Sequence, residues 1–555
     1  MIQITLKDGS VRQEAAGITA AEAAKNIGMG LYKSACAARV NGQEVDLRTP
    51  LTQDCSLEIC TFADKFGRHA FWHSASHILA QAVLRLYPNA KIAIGPAIEN
   101  GFYYDFDVTP PFTNDNLAAI EAEMKKIVKE ALPIERLEVS PAEAEALFKD
   151  QPYKLELLQK HAEAGEKISL YRQGEFTDLC AGPHLMDTSP VKAFKLTSAT
   201  GAYWHGDSTK PMLSRVYGTA YPKQAELDAY LTMVEEARKR DHNKIGRELE
   251  YFTTVDVIGQ GLPLLMPNGA KVFQLLSRWI EDEDEKRGYL LTRTPSMAKS
   301  DLYKISGHWD HYREGMFVLG DEEKDKEVFA LRPMTCPFQY QIYLSRKRSY
   351  RDLPLRYSET SPLFRNEDSG EMHGLIRVRQ FTLADGHIVA RPDQVEQEFR
   401  DCLSESKYIL ETLGLAEDVS YRFSKWDPNN KSKYEGTPEQ WEETQDTMRR
   451  ILDHLGLTYV EAEGEAAFYG PKLDIQIRNV YGKEDTMITI QIDMLVAKRY
   501  GMAYTDSDGS DKIPCIIHRS SIGCYERTIA LLLEKYAGAR PTWLMPTQVT
   551  LVPIG

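Results

Sequence analysis

No stretch of the 555 residues approaches the ~20 apolar residues of a membrane span. The opening, MIQITLKDGS, carries Lys7 and Asp8 where a secretory signal needs an apolar run, so neither export nor a membrane role is expected. Cysteine is scarce. The eight, at 36, 55, 60, 180, 336, 402, 515 and 524, lack the dense, regular spacing of a disulfide scaffold, which points to a reducing, cytosolic compartment. Nor is there an excess of positive charge: 67 Lys and Arg against 81 Asp and Glu leave a net charge of −14. That excludes a generally basic nucleic-acid coat protein and requires any nucleic-acid partner to be held by local patches.

What is present is length. At about 150 residues per domain the chain should hold three to four domains, which excludes a single small binding module. Its 43% hydrophobic and 27% charged residues fit a globular protein rather than a disordered or fibrous one.

Residues 1–62 read as a small α+β unit, with a strand at Ile2–Leu6, a Lys-Asp-Gly turn, a helix from Thr19 to about Asn26 and short strands around Asn41-Gly42, closed by Ser56–Phe62. Residues 63–224 mix helices and strands. A helix is expected at 72–86, with Leu79, Ala82, Val83 and Leu86 on one face, and another at Leu117–Leu132 with Ile120, Met124, Ile127 and Val128. The segment 225–247, apolar at Leu227, Tyr230, Leu231 and Val234 and then basic, reads as one linking helix. The block 248–541, with helices at 270–287 and 393–414 and strand-like runs at Val378–Phe381 and Met487–Ile492, suggests a catalytic domain built on one sheet. Residues 542–555, ending Gln548-Val-Thr-Leu-Val-Pro-Ile-Gly555, look like a strand opening a further module whose remainder the chain does not include.

Several residues invite chemistry. His73 and His77, four apart on a helix, share a face, although such a pair is more often two polar surface residues than a ligand site. Asp178, Cys180 and His184 fall in a turn-rich segment; with the histidine pair they would bind metal or relay protons, the plainer reading of Cys180 being a small buried hydrophobe. Arg365 and Arg377 flank a glycine-containing turn, so a hairpin would converge two guanidinium groups on one polyanion; solvated hairpin arginines are the alternative. Arg527 precedes an apolar helix, Thr528–Leu533, near whose N-terminus an anion is favoured. The run Leu344-Ser-Arg-Lys-Arg-Ser-Tyr-Arg351 would hold RNA locally or form a solvated face.

Together these blocks carry a resemblance. The Phe364-Arg-Asn-Glu367 hairpin looks like motif 2 of class II aminoacyl-tRNA synthetases, Gly523–Arg527 like motif 3 and Gly288–Pro295 like motif 1. With Arg332-Pro-Met-Thr-Cys-Pro337, Asp385-Gly-His387 and Ile517-His-Arg519, the chain resembles the threonyl-tRNA synthetase family over essentially its whole length. The resemblance implies an α+β multidomain fold: a ubiquitin-like β-grasp (TGS) module at 1–62, an α+β editing domain at 63–224 and a class II antiparallel-sheet catalytic domain at 248–541. It implies one zinc per subunit on Cys336, His387 and His518, whose separations of 51 and 131 residues would not by themselves indicate a metal site. It also implies Arg365 on the ATP α-phosphate, Arg377 and Arg527 toward the terminal phosphate, Glu367 with the adenine contacts and Phe381 stacked on adenine. Asp385 and Tyr469 match threonine-pocket residues, and Gln491 matches a polar site residue. His73, His77, Lys154, Asp178, Cys180 and His184 match a hydrolytic editing pocket, expected to be metal-free. Mg²⁺ with ATP, L-threonine, threonine tRNA and a homodimer built through motif 1 complete the expectation. The family's anticodon-binding domain should begin near Pro541, so poor tRNA charging is expected of this chain.

Three positions depart from better-known bacterial members: Leu383 where motif 2 carries glutamine, Thr486 for a glutamine and Cys524 for a serine. Two alternatives belong to other classes, a catalytically silent RNA-binding paralogue and a metal-dependent hydrolase centred on His73 and His77. Retention of Cys336, His387, His518, Arg365 and Arg527 argues against the first; zinc removal separates the second, because it should abolish adenylate formation before it affects deacylation.

The threonine substrate that the resemblance implies would dictate both sites. An apolar pocket separates threonine from its near-isostere valine by only about a hundredfold, whereas a metal with an open position can demand the hydroxyl. Serine keeps that hydroxyl and lacks one methyl, worth ~1–3 kcal/mol, so binding alone cannot exclude it and a second, hydrolytic site is needed.

Overall fold

Alternation makes Ile2–Leu6 a strand, with Ile2 and Ile4 buried and Gln3 and Thr5 outside. The computed structural model describes all residues except Ser208, Met494 and Gly555. Its chain divides into two units, Met1–Thr232 and Met233–Gly555.

In the first unit, Ile2–Leu6 pairs antiparallel with Val11–Glu14 and parallel with Cys55–Thr61, which in turn pairs with Ala35–Val40; a hairpin at Asn41-Gly42 adds Gln43–Val45. The helix Ala20–Ile27 starts at a capping box between Thr19 and Glu22 and lays Ala20, Ala21 and Ala23 on the sheet, the β-grasp arrangement. Beyond it lies a longer helix than expected, Lys65–Leu86. It crosses the strand Cys55–Thr61 at Gly67, where a Cβ would come within 1.9 Å of Thr61 O. One apolar face was expected here; instead the helix is buried on all sides from Ser74 to Val83, and of the four residues expected on that face Leu86, at its end, is exposed. Leu117–Glu130 packs beside it through Ile120, Met124 and Ile127. A short ribbon joins Ile18–Thr19 to Pro50–Leu51, and two larger sheets follow, one built around the antiparallel strands Gly101–Asp107, Ala193–Tyr203 and Met212–Tyr221, the other from Ile134–Glu138, Ser169–Gln173 and Phe176–Leu179.

The single linking helix expected over 225–247 is two helices, Gln224–Arg240 and His242–Glu248. The break falls at Asp241, whose carboxylate accepts from the Asn243 amide and the Tyr481 hydroxyl and so starts a new helix.

The second unit is organised by an eight-stranded sheet in the order Leu290–Leu291, Leu355–Phe364, Gln380–Ala390, Cys515–Cys524, Glu484–Asp493, Lys472–Arg478, Val419–Lys425, Val460–Glu463, antiparallel except at its two edges. Helices Pro267–Lys286, Val395–Thr412 and Tyr525–Tyr536 contribute Leu276, Phe399 and Leu532 to the core against it. The strand read at Val378–Phe381 starts later and runs further, as Gln380–Ala390, so Val378 and Arg379 precede it. The basic run 344–351 is partly structural: Arg348 is buried and donates to the carbonyls of Tyr343 and Ile342. The strand expected at 548–555 does not form over Gln548–Ile554, which no neighbouring strand pairs, and Gly555 lies outside the described residues. Among the described residues no helix is long and apolar enough to cross a membrane.

Candidate functional site

Register builds the first site. His387 pairs with His518 on the next strand, and His518 with Gln491 on the one after, so three adjacent strands present these side chains in a row. Asp385, two residues before His387, shares its face, with Oδ1 3.8 Å from His387 Nε2. Cys336 arrives from elsewhere, as the first residue of the helix Cys336–Leu344. One donor atom from each of Cys336, His387 and His518 lies within 4.8 Å of the others, and all three residues are buried.

The surroundings fit a dication. His387 Nδ1 faces Gln339 Oε1 at 2.6 Å, leaving Nε2 as ligand. His518 Nε2 lies 3.2 Å from Asp493 Oδ2 and 3.3 Å from the Tyr340 hydroxyl, which leaves Nδ1. Burial, then the negative charges of Asp385 and Asp493, pushes the Cys336 thiol well above its ordinary range, so only a cation at this point would hold it as thiolate. Burial, followed by His518 and Arg519, keeps His387 neutral, the form in which imidazole binds metal.

Around this cluster, the Tyr469 ring stacks on His518 at 5.0 Å and its hydroxyl donates to Gln491 Oε1 at 2.6 Å. Arg365 projects from the end of Leu355–Phe364; its Nε donates to Pro333 O at 3.3 Å and its Cζ lies 5.0 Å from the Phe381 ring. The hairpin expected around Arg365 and Arg377 is present, but its arginines keep different company: Arg377 bonds Glu367 at 2.8 Å and Glu371 at 2.6 Å. Arg527, in the first turn of Tyr525–Tyr536, donates to Ile376 O at 3.0 Å and to Thr486 O. Two of the departures are neighbours: Leu383 pairs with Cys524 across the strands and packs with Leu363, Val378 and Phe381, an apolar contact in place of an amide. Thr486 Oγ1 accepts from Gln476 at 2.7 Å.

The second cluster belongs to the first unit. His73 and His77 sit on Lys65–Leu86, and the segment after Phe176–Leu179 brings Cys180 Sγ to 3.4 Å from His73 Nε2 and 3.2 Å from His184 Nε2. The Ser74 hydroxyl donates to Ala70 O at 2.8 Å, so its oxygen accepts from the Leu185 amide at 2.9 Å and from His184 Nδ1 at 3.2 Å. That assigns the proton to Nδ1 and leaves Nε2 to accept from the Cys180 thiol. Asp178 lies 2.5 Å from Lys154 Nζ and 3.4 Å from His77 Nε2, and accepts from the Tyr104 hydroxyl at 2.6 Å. Burial alone would raise Asp178, but Lys154, His77 and these hydrogen bonds outweigh it and keep the carboxyl ionised. Burial also pushes the Cys180 thiol up to about 12. A cleft of about 380 Å³ opens on His73, His77, Lys154, Asp178 and Cys180.

Burial pushes His73 down to about 3 and His77 to about 4. Below the ordinary value of 6.5 the unfolded chain binds protons that these folded rings refuse. Their stabilisation is therefore complete above pH 6.5 and is lost as pH falls toward 4 and then 3. At about 1.4 kcal/mol per pKa unit the first unit should lose several kcal/mol. Denaturant titrations of its unfolding transition between pH 7 and 4.5 should show the fall; equal midpoints across that range would contradict neutral burial.

Sequence reasoning missed Ser74, Tyr104, Gln339, Tyr340 and Asp493, which act by orienting other groups. Only Asp493, two residues after Gln491 on the same strand, left a readable trace.

Three family descriptions match the chain: "TGS domain" over residues 2–61, "Threonyl and Alanyl tRNA synthetase second additional domain" over 168–217, and "tRNA synthetase class II core domain (G, H, P, S and T)" over 317–536. A threonine–tRNA ligase of Clostridium perfringens is 64% identical over 554 residues, covering 100% of this chain and 86% of the relative. The chain belongs to the threonine–tRNA ligase family. Another member, from Geobacillus kaustophilus, is 48% identical over 100% of this chain and 85% of its own length. Among solved structures, the RNA binding domain of threonyl-tRNA synthetase from Cryptosporidium parvum superposes with a TM-score of 0.52 at 33% identity, covering 55% of this chain and 74% of that one. Threonine–tRNA ligases are generally zinc-dependent and use ATP, and the donor set at Cys336, His387 and His518 suits that metal.

Proposed function

We propose that this enzyme activates L-threonine with ATP as threonyl-adenylate, transfers it to the terminal ribose of threonine tRNA, and hydrolyses seryl-tRNA formed in error. Family membership at 64% identity, with the class II core and the additional domain, supports activation, charging and editing. The observation that carries the choice of amino acid is the convergence of Cys336, His387 and His518 beside Asp385 and Tyr469. In this reading residues 1–62 form the TGS module, 63–224 the editing domain and 248–541 the catalytic domain.

A zinc held by the three ligands would offer an open position to the amino and hydroxyl groups of threonine, which valine leaves unmet. Asp385 and Tyr469 line the pocket, and Gln491, accepting from Tyr469, fixes its hydroxyl. ATP enters as its Mg²⁺ complex. Phe381 stacks on adenine, Glu367 meets its edge, Arg365 neutralises the α-phosphate under carboxylate attack, and Arg377 and Arg527 hold the terminal phosphate. Arg377 leaves its partners Glu367 and Glu371 to do so. Pyrophosphate departs; the ribose hydroxyl then attacks the adenylate carbonyl, the ester forms as AMP leaves from the mixed anhydride, and no protein nucleophile is needed. Exposed Leu290 and Leu291, on an edge strand of the sheet, favour a homodimer closed through this segment. The eight cysteines, all free, suit a reducing cytosol.

Threonine-dependent ATP–pyrophosphate exchange with valine and serine as competitors tests the reading. Threonine should drive exchange, serine weakly and valine hardly at all; exchange with valine equal to threonine would defeat the zinc argument.

Editing uses His73, His77, Cys180 and His184 to position water and substrate without a metal, with Lys154 and Asp178 fixing His77. His73→Ala should abolish deacylation of seryl-tRNA while threonine activation stays unchanged. Metal analysis should find one zinc per chain, lost on Cys336→Ser and kept on Cys180→Ser. A second equivalent that disappears with Cys180 would overturn the metal-free pocket.

A further inference from the structure

The first unit holds a contact between its N-terminal module and the back of the editing cluster that the functional reading does not use. The short loop after Gln43–Val45 carries Asp46 and Arg48, which reach a segment more than a hundred residues away in sequence. Asp46 Oδ2 accepts from the backbone amide of His184 at 3.2 Å and from the Tyr171 hydroxyl at 2.9 Å. Arg48 donates to the carbonyls of His184 at 3.2 Å and Leu185 at 2.7 Å, and to that of Ile134. The two are paired, Arg48 Nη1 lying 2.9 Å from Asp46 Oδ1, and their side chains are only 17% and 11% exposed. Both polar groups of the His184 peptide backbone are thus held by the N-terminal module.

The hold extends to the reacting face. The Tyr171 ring packs on the His184 imidazole at 4.5 Å, and its hydroxyl sits under Gly182, where a Cβ would come within 2.2 Å. Gly182 in turn donates its amide to Cys180 Sγ at 3.3 Å. Asp46 therefore fixes, through one amide and one tyrosine, the two residues whose 3.2 Å contact forms the centre of the cluster.

We propose that Asp46 and Arg48 of the N-terminal module are positioning residues for seryl-tRNA hydrolysis, so that this module completes the editing site. The inference rests on the editing reading of His73, Cys180 and His184. A displacement of about 1 Å in a reacting group costs on the order of a hundredfold.

The test uses the full chain and purified seryl-tRNA. Asp46→Asn keeps the volume but sets an amide against the donors that the second oxygen accepted; Arg48→Met removes three carbonyl contacts, and Arg48→Lys restores some of them. Both disruptive variants are expected to lower kcat for deacylation at least tenfold with KM within twofold, to leave threonine-dependent pyrophosphate exchange unchanged and to retain wild-type circular dichroism. Arg48→Lys should recover part of kcat. A rise in KM alone would assign the loop to RNA binding and overturn the proposal, as would unchanged kcat in Asp46→Asn. Proportional loss of exchange, deacylation and folded signal would also overturn it, by making the pair merely structural. His73→Ala, run alongside, separates the premises: if it deacylates normally the editing assignment fails, whereas if it is inactive and the loop variants are not, only the positioning inference fails.

Discussion

Cys336→Ser is expected to cost about 10²–10³-fold in threonine-dependent ATP–pyrophosphate exchange and to release the bound zinc. The estimate is the gap between the ~10⁴–10⁵ discrimination of a site matched to a substrate hydroxyl and the ~10² of an apolar pocket. Serine preserves shape but gives up the soft thiolate, and His387 and His518 alone leave the metal short of the three protein ligands that a substrate-binding zinc requires. The vacated centre would leave Asp385 and Asp493, whose charges both act to raise the thiol at this point, with no compensating cation. Selectivity for threonine over valine should collapse with the rate. Parallel zinc content and exchange measurements decide the matter, since a zinc-free variant that still exchanges and still rejects valine would remove the metal from substrate choice.

Arg365→Gln is expected to lower kcat for exchange by about 10²–10³-fold, the usual cost of losing a preorganised group at developing charge, with the threonine KM nearly unchanged. One side of this guanidinium is already anchored, by Nε to Pro333 O at 3.3 Å, which leaves its two terminal nitrogens for an α-phosphate oxygen pair. Lysine lacks that planar fork, so Arg365→Lys should rescue less than tenfold. Fluorescence titration of ATP should show weakened but measurable binding, because the stacking proposed for Phe381 does not depend on this arginine. Equal kcat in Arg365→Gln and wild type would transfer the role to another cation.

Much of the chain could be read from local pattern. The Thr19–Glu22 capping box, the Asn41-Gly42 hairpin and the apolar repeat of Ile120, Met124 and Ile127 act over a few residues, so composition and spacing report them directly. Errors arose where tertiary contact replaced solvent. Lys65–Leu86 shows no single apolar face because it is surrounded, and Arg348 in a basic run is drawn inward by carbonyls. His73, His77, Asp178, Cys180, His184, Arg365, Arg377 and Arg527 stood out in the sequence by residue type and spacing, whereas Cys336, His387 and His518 became visible only through resemblance to a family. Their supporting shell of Ser74, Tyr104, Gln339 and Tyr340 was not legible, since a hydrogen bond to a distant side chain leaves no periodic mark.

Local order therefore settled which segments become helix, strand or turn, because backbone hydrogen bonding and side-chain period operate between near neighbours. The convergence of Cys336, His387 and His518 belongs to the fold alone: strand register sets two imidazoles side by side, and a helix start supplies a thiol from 51 residues earlier. The same holds for Arg48 at the carbonyl of His184, 136 residues on. Such separations carry no signal along the chain, for their energy comes from packing surfaces that exist only once the polypeptide has closed on itself.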